Sequence, residues 1–254
     1  MRKALLKASP DGPAQMITLI GVGHVFAISN QVTQLICSRR PDVVCIELDK
    51  ARYDSLQNRT RSGRVPIQYS LLALFQRRMA DKFGTEAGDE MLAAAAAAHE
   101  VNAKVALIDV EASAMLTMLW SKMSMKERVK LLVGALIGLV TSKETVEKEI
   151  EAFQNDDEAY LNGIGEQFPI LKKVLIDDRN RIMAQRISRI AETHTNVVAV
   201  IGDGHINGIA TQLARGDLEI VRLKQLMSGV PLSSEGPAEH STSFYVDDTI
   251  GRQS

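Results

Sequence analysis

Four segments of the chain are nearly continuous in apolar residues: Ile17 to Gly21, Asp42 to Leu48, Lys104 to Val110 and Asn196 to Gly202. Short runs of this kind, rich in β-branched residues, are what strands covered on both faces look like. Glu219 to Lys224 alternates apolar and polar positions instead, which predicts an edge strand. Between the runs the apolar spacing shifts to three and four. Ser29 is placed to cap a helix with Val32, Leu35 and Ile36 on one face, and Pro41 marks its end. Thr85 to Val101 is alanine-rich and strongly helix-forming. Thr141 and Glu144 have the spacing of a capping box for a helix with Val146, Ile150 and Phe153 inward. Asp177 to Thr193 carries Ile182, Met183, Ile187 and Ile190 at helical spacing.

Strands alternating with helices predict an α/β fold: a mostly parallel central sheet, right-handed crossovers and helices on both faces. Residues 50–103 and 111–195 are each too long for a minimal crossover, so a large helical insert or layer is expected over one edge or mouth of the sheet. Residues 1–232 read as a single domain with those insertions, and the Ser-, Gly- and Asp-rich residues 233–254 as a flexible tail. Leu131 to Val140 is ten residues long, and a bilayer span needs about 20, so no membrane span is expected in this chain. With Gly134 and Gly138 in a G-x-x-x-G pair, that segment predicts a helix buried in the helical layer or in a two-fold homodimer contact. Leucine at either glycine should then disturb packing or dimerisation.

Composition adds exclusions. With 45% hydrophobic and 24% charged residues a buried core is affordable. A net charge of −1 gives no basic face, so nucleic acid is not an expected partner. Cys37 and Cys45 do not make a disulfide framework, and Met1 to Pro13 lacks the apolar core of a signal peptide. The expected location is the cytoplasm, as a free protein or as the cytoplasmic domain of a membrane-associated one.

The chemistry concentrates at strand ends. The first strand runs into Gly21-Val22-Gly23-His24 and the fourth into Gly202-Asp203-Gly204-His205. Open α/β sheets bind ligands outside the carboxyl ends of their strands. Glu47 ends the second strand, and Asp109 the third with Glu111 just beyond. A glutamate at a buried strand end needs a metal or a cationic partner such as Arg52 or another arginine. Two histidines and one or two carboxylates from neighbouring strand ends make a donor set for a divalent metal, with His24, His205, Glu47 and Asp109 as candidates and zinc, manganese or cobalt as the ion. Arg52 and Tyr53 follow the second strand closely enough to reach the same mouth. His99, His194 and His240 read as surface residues, and Arg59, Arg61 and Arg64 as a solvated loop. A dinucleotide-binding reading of Gly21-Val22-Gly23 is set aside because Phe26 stands at the third glycine position.

These segments, with Pro41 to Tyr53, Ala106 to Asp109, Arg179-Asn180 followed by Met183-Ala184, and Val198 to Ile209, resemble the TraB/PrgY/GumN group related to Tiki metalloproteases, in the same order from about Ile17 to Leu223. The resemblance implies an α/β fold with two Gly-x-x-His motifs and a glutamate at the active centre. It implies a divalent-metal-dependent peptidase in the Tiki branch, leaning towards manganese or cobalt, and inhibition of peptide pheromones in the TraB branch. Three departures stand out: Val22 and Gly23 replace threonine and alanine, Val110 stands where relatives carry arginine, and no C-terminal transmembrane helices follow. The leading expectation is a metal-dependent hydrolase, a peptidase acting on a peptide or protein substrate. Glu47, Arg52 and Arg179 are its candidate catalytic residues, with Tyr53, Asn180 and Asp203 at the substrate. The rival is a non-catalytic peptide-binding or regulatory module of the same fold.

Overall fold

The computed structural model describes residues 16–23, 27–58, 88–140, 145, 148 and 157–228. Each apolar run forms a strand: β1 Met16–Val22, β2 Val43–Ile46, β3 Lys104–Leu107, β4 Asn196–Gly202 and β5 Leu218–Val221. They make one sheet in the order β3-β2-β4-β1-β5, with every pairing parallel. The alternating segment is an edge strand, as its pattern requires, and it ends at Val221.

The period-two alternation of the central strands divides the core. Ile20, Val22, Val44, Ile46, Val198 and Val200 face one layer, made by α1 Ser29–Arg39 and α3 Asp89–Glu100. Ile17, Leu19, Val43, Cys45, Val197, Ala199 and Ile201 face the other, made by α8 Asp178–Ala191 and α9 Ile206–Leu213. Both faces are covered, which is why the runs read as continuous apolar segments. In α8 the inward stripe is Met183, Ala184, Ile187 and Ala191. Alanines line the inner side of α3, where Met91, Ala94, Ala95, Ala97 and Ala98 let the helix lie close to α1 and the sheet. Short α2, Lys50–Gln57, follows β2, and α10, Leu223–Met227, follows β5.

Ser29 is not the cap of α1. Ile28 occupies the cap position and no side chain bonds there, so Ser29 is already the first helical residue. The spacing placed the helix correctly because Val32, Leu35 and Ile36 are buried, and packing rather than capping fixes its start. The end is as expected: Arg40 turns left-handed, returns its N–H to the Ile36 carbonyl, and Pro41 follows. The Thr141–Glu144 box and residues 233–254 lie outside the described residues.

The expected helical layer consists of α4 Ala112–Lys122, α5 Met125–Val140, α6 Asp157–Gln167 and α7 Pro169–Lys172, the last continuing through a π-helical turn, Lys173–Asp177, into α8. Its small core joins Leu119, Met123 and Val174 with Met115, Leu131 and Ile170 at the margin. Among the described residues no helix is long and apolar enough to cross a membrane. Leu131 packs into this layer, whereas Val129 and Val133 are about half exposed, and among the described residues a Cβ built on Gly134 meets nothing within 4 Å.

That open space reverses the expected effect of a side chain at Gly134 within a single chain. A glycine in an exposed helix interior costs about 0.8–1.0 kcal/mol relative to alanine. Gly134→Ala should therefore raise stability by up to about 1 kcal/mol in thermal or denaturant unfolding. A clear loss would mean that a second chain or another segment covers this face.

Candidate functional site

In an all-parallel sheet the carboxyl ends of neighbouring strands open along one edge. Ile46 lies level with Leu107 on one side and Val200 on the other. Just past that register the Glu47 N–H donates to the Val200 carbonyl at 3.1 Å, and the Asp109 N–H to the Leu48 carbonyl at 3.3 Å. Glu47 and Asp109 are thus carried out side by side on adjacent strands. Both are buried, with 7% and 4% of their surface exposed, which two ionised carboxylates tolerate only with donors or counter-charges around them.

Arg179, in the first turn of α8, supplies the counter-charge. Its Nη2 donates to Glu47 Oε1 and, at 2.7 Å, to Asp109 Oδ2. Its Nε donates to Asp109 Oδ1 at 3.0 Å. Its Nη1 donates to the Leu175 carbonyl at 3.2 Å and meets His205 Nε2 at 3.1 Å. A guanidinium has five N–H donors, and these five acceptors account for all of them. Because an arginine keeps its protons, His205 Nε2 accepts, and Nδ1, 2.6 Å from Asn180 Oδ1, donates. Arg179 and Asn180, neighbours on α8, therefore fix the two ring nitrogens of one histidine. A Cβ on Gly208 would collide with the Asn180 amide, so a glycine is needed where α9 passes it.

Glu47 Oε2 accepts the Gly202 N–H at 2.6 Å. A Cβ at Gly202 would come within 3.3 Å of that oxygen, so glycine eases the approach of β4 to the carboxylate. Burial works to raise the Glu47 pKa and the Asp109 charge adds to it, but the positive charge of Arg179 and the Gly202 N–H hold the carboxyl below its ordinary range. Asp109 follows the same pattern, with Arg179 and Arg52 overcoming burial. Burial opposes the charge on Arg179, and Asp109 and Glu47 reverse that, placing its pKa above that of a free arginine.

Arg52 completes the cluster. Its Nη2 donates to Asp109 Oδ2 and its Nε to Asp49 Oδ2 at 2.6 Å. Asp49 also caps α2 by accepting the Arg52 N–H at 3.0 Å, and it takes the Ala112 N–H at 3.2 Å. Arg52 is the outermost member, with 37% of its side chain exposed against 12% for Arg179.

The structure brings Glu47, Asp109, Arg52, Arg179, Asn180 and His205 into one network. It places Asp203 and Tyr53 elsewhere. Asp203 accepts the Leu223 N–H at 2.9 Å and two bonds from Arg222, at 3.0 and 2.8 Å, so its carboxylate ties the end of β4 to that of β5. A Cβ at Gly21 would strike that carboxylate, which shows how closely β1 passes. Tyr53 is half-buried against the core, and its hydroxyl accepts from Gln57 Nε2 at 2.8 Å. His24 lies outside the described residues. Three participants went unseen in the sequence. Asp49 positions Arg52, Arg222 positions Asp203, and Arg186 Nη1 donates to the Asp109 carbonyl at 2.6 Å. Helical spacing was the only available signal for Arg186: it is seven residues after Arg179, on the same face.

The donor set can be tested against the expected divalent ion. His205 Nε2 lies 3.5 Å from Glu47 Oε1, close enough for both to ligate one ion. Yet the space that Glu47 Oε1, Asp109 Oδ2 and His205 Nε2 share is taken by the Arg179 guanidinium, and each of the three atoms is in contact with it. Among the described residues no group of three or more His, Cys, Asp or Glu side chains is disposed to hold a metal. In this arrangement the described residues do not fit a resident divalent ion, because a cation already holds their lone pairs.

The sequence model of the TraB/PrgY/gumN family matches residues 4–221. An uncharacterized protein of Methanocaldococcus jannaschii is 28% identical over 225 residues, covering 82% of this chain. The chain spans 56% of that relative's length.

The depressed carboxyls set an expectation for acid. Unfolded carboxylates take up protons near pH 4. Stabilisation from groups held lower than that is complete above this pH and is lost as pH falls through their folded values. Thermal unfolding should therefore show a flat melting temperature from pH 7 to about 5 and a decline below about 4. Asp109→Asn should be less stable at neutral pH by about 3–5 kcal/mol, chiefly because the buried Arg179 loses a charge partner; the exposed Arg52 adds little. Its acid decline should also be shallower. Parallel acid profiles for parent and variant would remove Asp109 from the titrating set.

Proposed function

The chain belongs to the TraB/PrgY/gumN family, and on that footing we propose that it is a hydrolase of peptide bonds whose working groups are Glu47, Arg179, Arg52 and His205. The observation that carries this reading is the buried cluster itself. Withdrawing Glu47, Asp109 and Arg179 from water costs desolvation that apolar side chains of similar volume would not incur. Replacing buried ion pairs by such side chains is commonly neutral or stabilising by about 1–4 kcal/mol. The cluster also lies at the carboxyl ends of β2, β3 and β4, the edge where α/β sheets bind ligands. Stability alone does not account for such a cluster, which supports a role in work on a substrate.

Glu47, ionised throughout the neutral range, takes a proton from water as the water oxygen adds to the peptide carbonyl. The negative charge that develops on the carbonyl oxygen is stabilised through space by the guanidinium charge of Arg179, whose N–H donors stay on their own partners. Collapse of the adduct breaks the carbon–nitrogen bond, and the proton held by Glu47 passes to the departing amine. His205, locked by Asn180, lines the same centre and fixes the position of Arg179. Arg52, the exposed arginine, suits a substrate carboxylate. No step runs through a metal.

A second reading rests on a separate fact: all five donors of Arg179 and both oxygens of Glu47 are already engaged. A site so fully satisfied suits a module that holds a peptide without cutting it, Arg52 being its anchor.

Incubation with a peptide library in ¹⁸O-water, followed by mass spectrometry, separates the two. Hydrolysis should give new carboxyl ends carrying ¹⁸O, and Glu47→Gln should slow it by about 10²–10⁴-fold, the usual share of general-base catalysis. Arg52→Ala should act mainly on KM. Peptides retained uncut, with an affinity that falls in Arg52→Ala, would instead establish the binding module.

A further inference from the structure

The helical layer carries a row of apolar side chains that its own small core does not use. On α5, Leu131 packs against the core made by Leu119, Met123 and Val174. Met125, Val129 and Val133, at i, i+4 and i+8, form a row on another face. Met125 is 69% exposed and the two valines about half. Trp120, near the end of α4, is also about half exposed and joins this row through Arg128. The Arg128 guanidinium lies 5.2 Å from the indole centroid, and its Nη1 meets Met125 Sδ at 3.9 Å. We infer that this outer face of α4 and α5 docks on the headgroup layer of an anionic lipid membrane, with α5 lying flat on it. The inference concerns the helical layer and stands apart from the chemistry at the strand ends.

Charge decides the occupant. Between Trp120 and Gly134 stand Lys122, Lys126, Arg128 and Lys130 against one acid, Glu127. Glu127 is engaged at the start of α5, where its carboxylate accepts the Ser124 N–H and hydroxyl, each at 2.8 Å. The whole chain has a net charge of −1, so this positive surface is local. Lys126 and Lys130 are exposed and lie one step round the helix from Met125 and Val129. A lysine beside an apolar row can lay its methylene stem along the row and hold its ammonium at the level of lipid phosphates. Tryptophan is enriched at that same depth. A second copy of the chain fits less well, because a two-fold contact through this face would set the lysines of one copy against those of the other. With 16 residues, α5 is about 24 Å long, and Lys126, Glu127, Arg128 and Lys130 fill its first two turns. Such a helix lies on a bilayer rather than crossing it.

Trp120 is the only tryptophan in the chain, so its emission reports on this face alone. The full chain, mixed with vesicles of phosphatidylcholine and phosphatidylglycerol, should float with them. Its emission should move to shorter wavelength and be quenched by lipids with brominated chains, a reading that needs no variant. Pure phosphatidylcholine vesicles should bind far less, and added salt should release the protein. Lys126→Gln/Lys130→Gln should weaken binding by about 10–30-fold, since each lysine near an anionic surface contributes about fivefold. Val129→Asp/Val133→Asp should abolish it with the domain still folded, both residues being exposed. Four results would overturn the inference: protein that stays free of anionic vesicles, equal binding to uncharged ones, binding that neither double variant weakens, or a dimer in sedimentation that Val129→Asp/Val133→Asp disperses. The last would give the face to a second copy.

Discussion

The strand-end edge of the sheet depends on one guanidinium. A parallel sheet sends every strand out at the same edge, and in this chain two adjacent strands end in carboxylates. Like charges so close and so dry repel one another, and without a cation between them at least one would give up its charge. Arg179 removes that conflict by taking Asp109 in a two-pronged grip and Glu47 with the remaining Nη2 proton. Because it sits on α8, whose inner face packs on the sheet through Met183 and Ile187, the charge arrangement and the apolar core hold each other in register.

A second anchor works from the other side. The Gly202–His205 loop is grasped at each of its polar positions by a different partner: Gly202 by Glu47, Asp203 by Arg222 and the Leu223 N–H, and His205 by Asn180 and Arg179. The loop is therefore tied towards β2 at one end and towards β5 at the other. Glycine at 21, 202 and 208 matters because side chains would intrude on Asp203, Glu47 and Asn180 in turn. Those glycines do not serve flexibility here; they allow polar side chains, two of them carboxylates, to approach the backbone.

Much of this was legible in the sequence, and the reason is burial. Strands covered on both faces leave a continuous apolar signature, so β1, β2 and β4 were found close to their true bounds, and the charged residues that end them stood out. The alternation of Glu219 to Lys224 located the sheet edge for the same reason. What stayed hidden was pairing. Arg179 and Glu47 are 132 positions apart, and no local pattern says which arginine a strand-end carboxylate will meet. Arg52, adjacent in sequence, was the natural suspect, yet it bonds Asp49 and Asp109 instead. Ser29 was misread because a polar residue before an apolar stripe looks like a cap, whereas here the buried Ile28 occupies that place.

The π-helical turn between α7 and α8 bears on how this lineage can vary in length. A π turn amounts to one extra residue accommodated inside a helix, and each helical residue advances the direction of its side chain by about 100°. Lys173 to Asp177 thus sets the phase at which Arg179 leaves α8, and its own Leu175 carbonyl accepts from the arginine it aims. Loss of a single residue from that turn would restore ordinary winding and swing the guanidinium off the strand ends, while the apolar stripe further along α8 would hold the helix in place. Surface connections in such a fold can lengthen or shorten freely. The five residues of this turn form a counted segment, in which length itself carries the information.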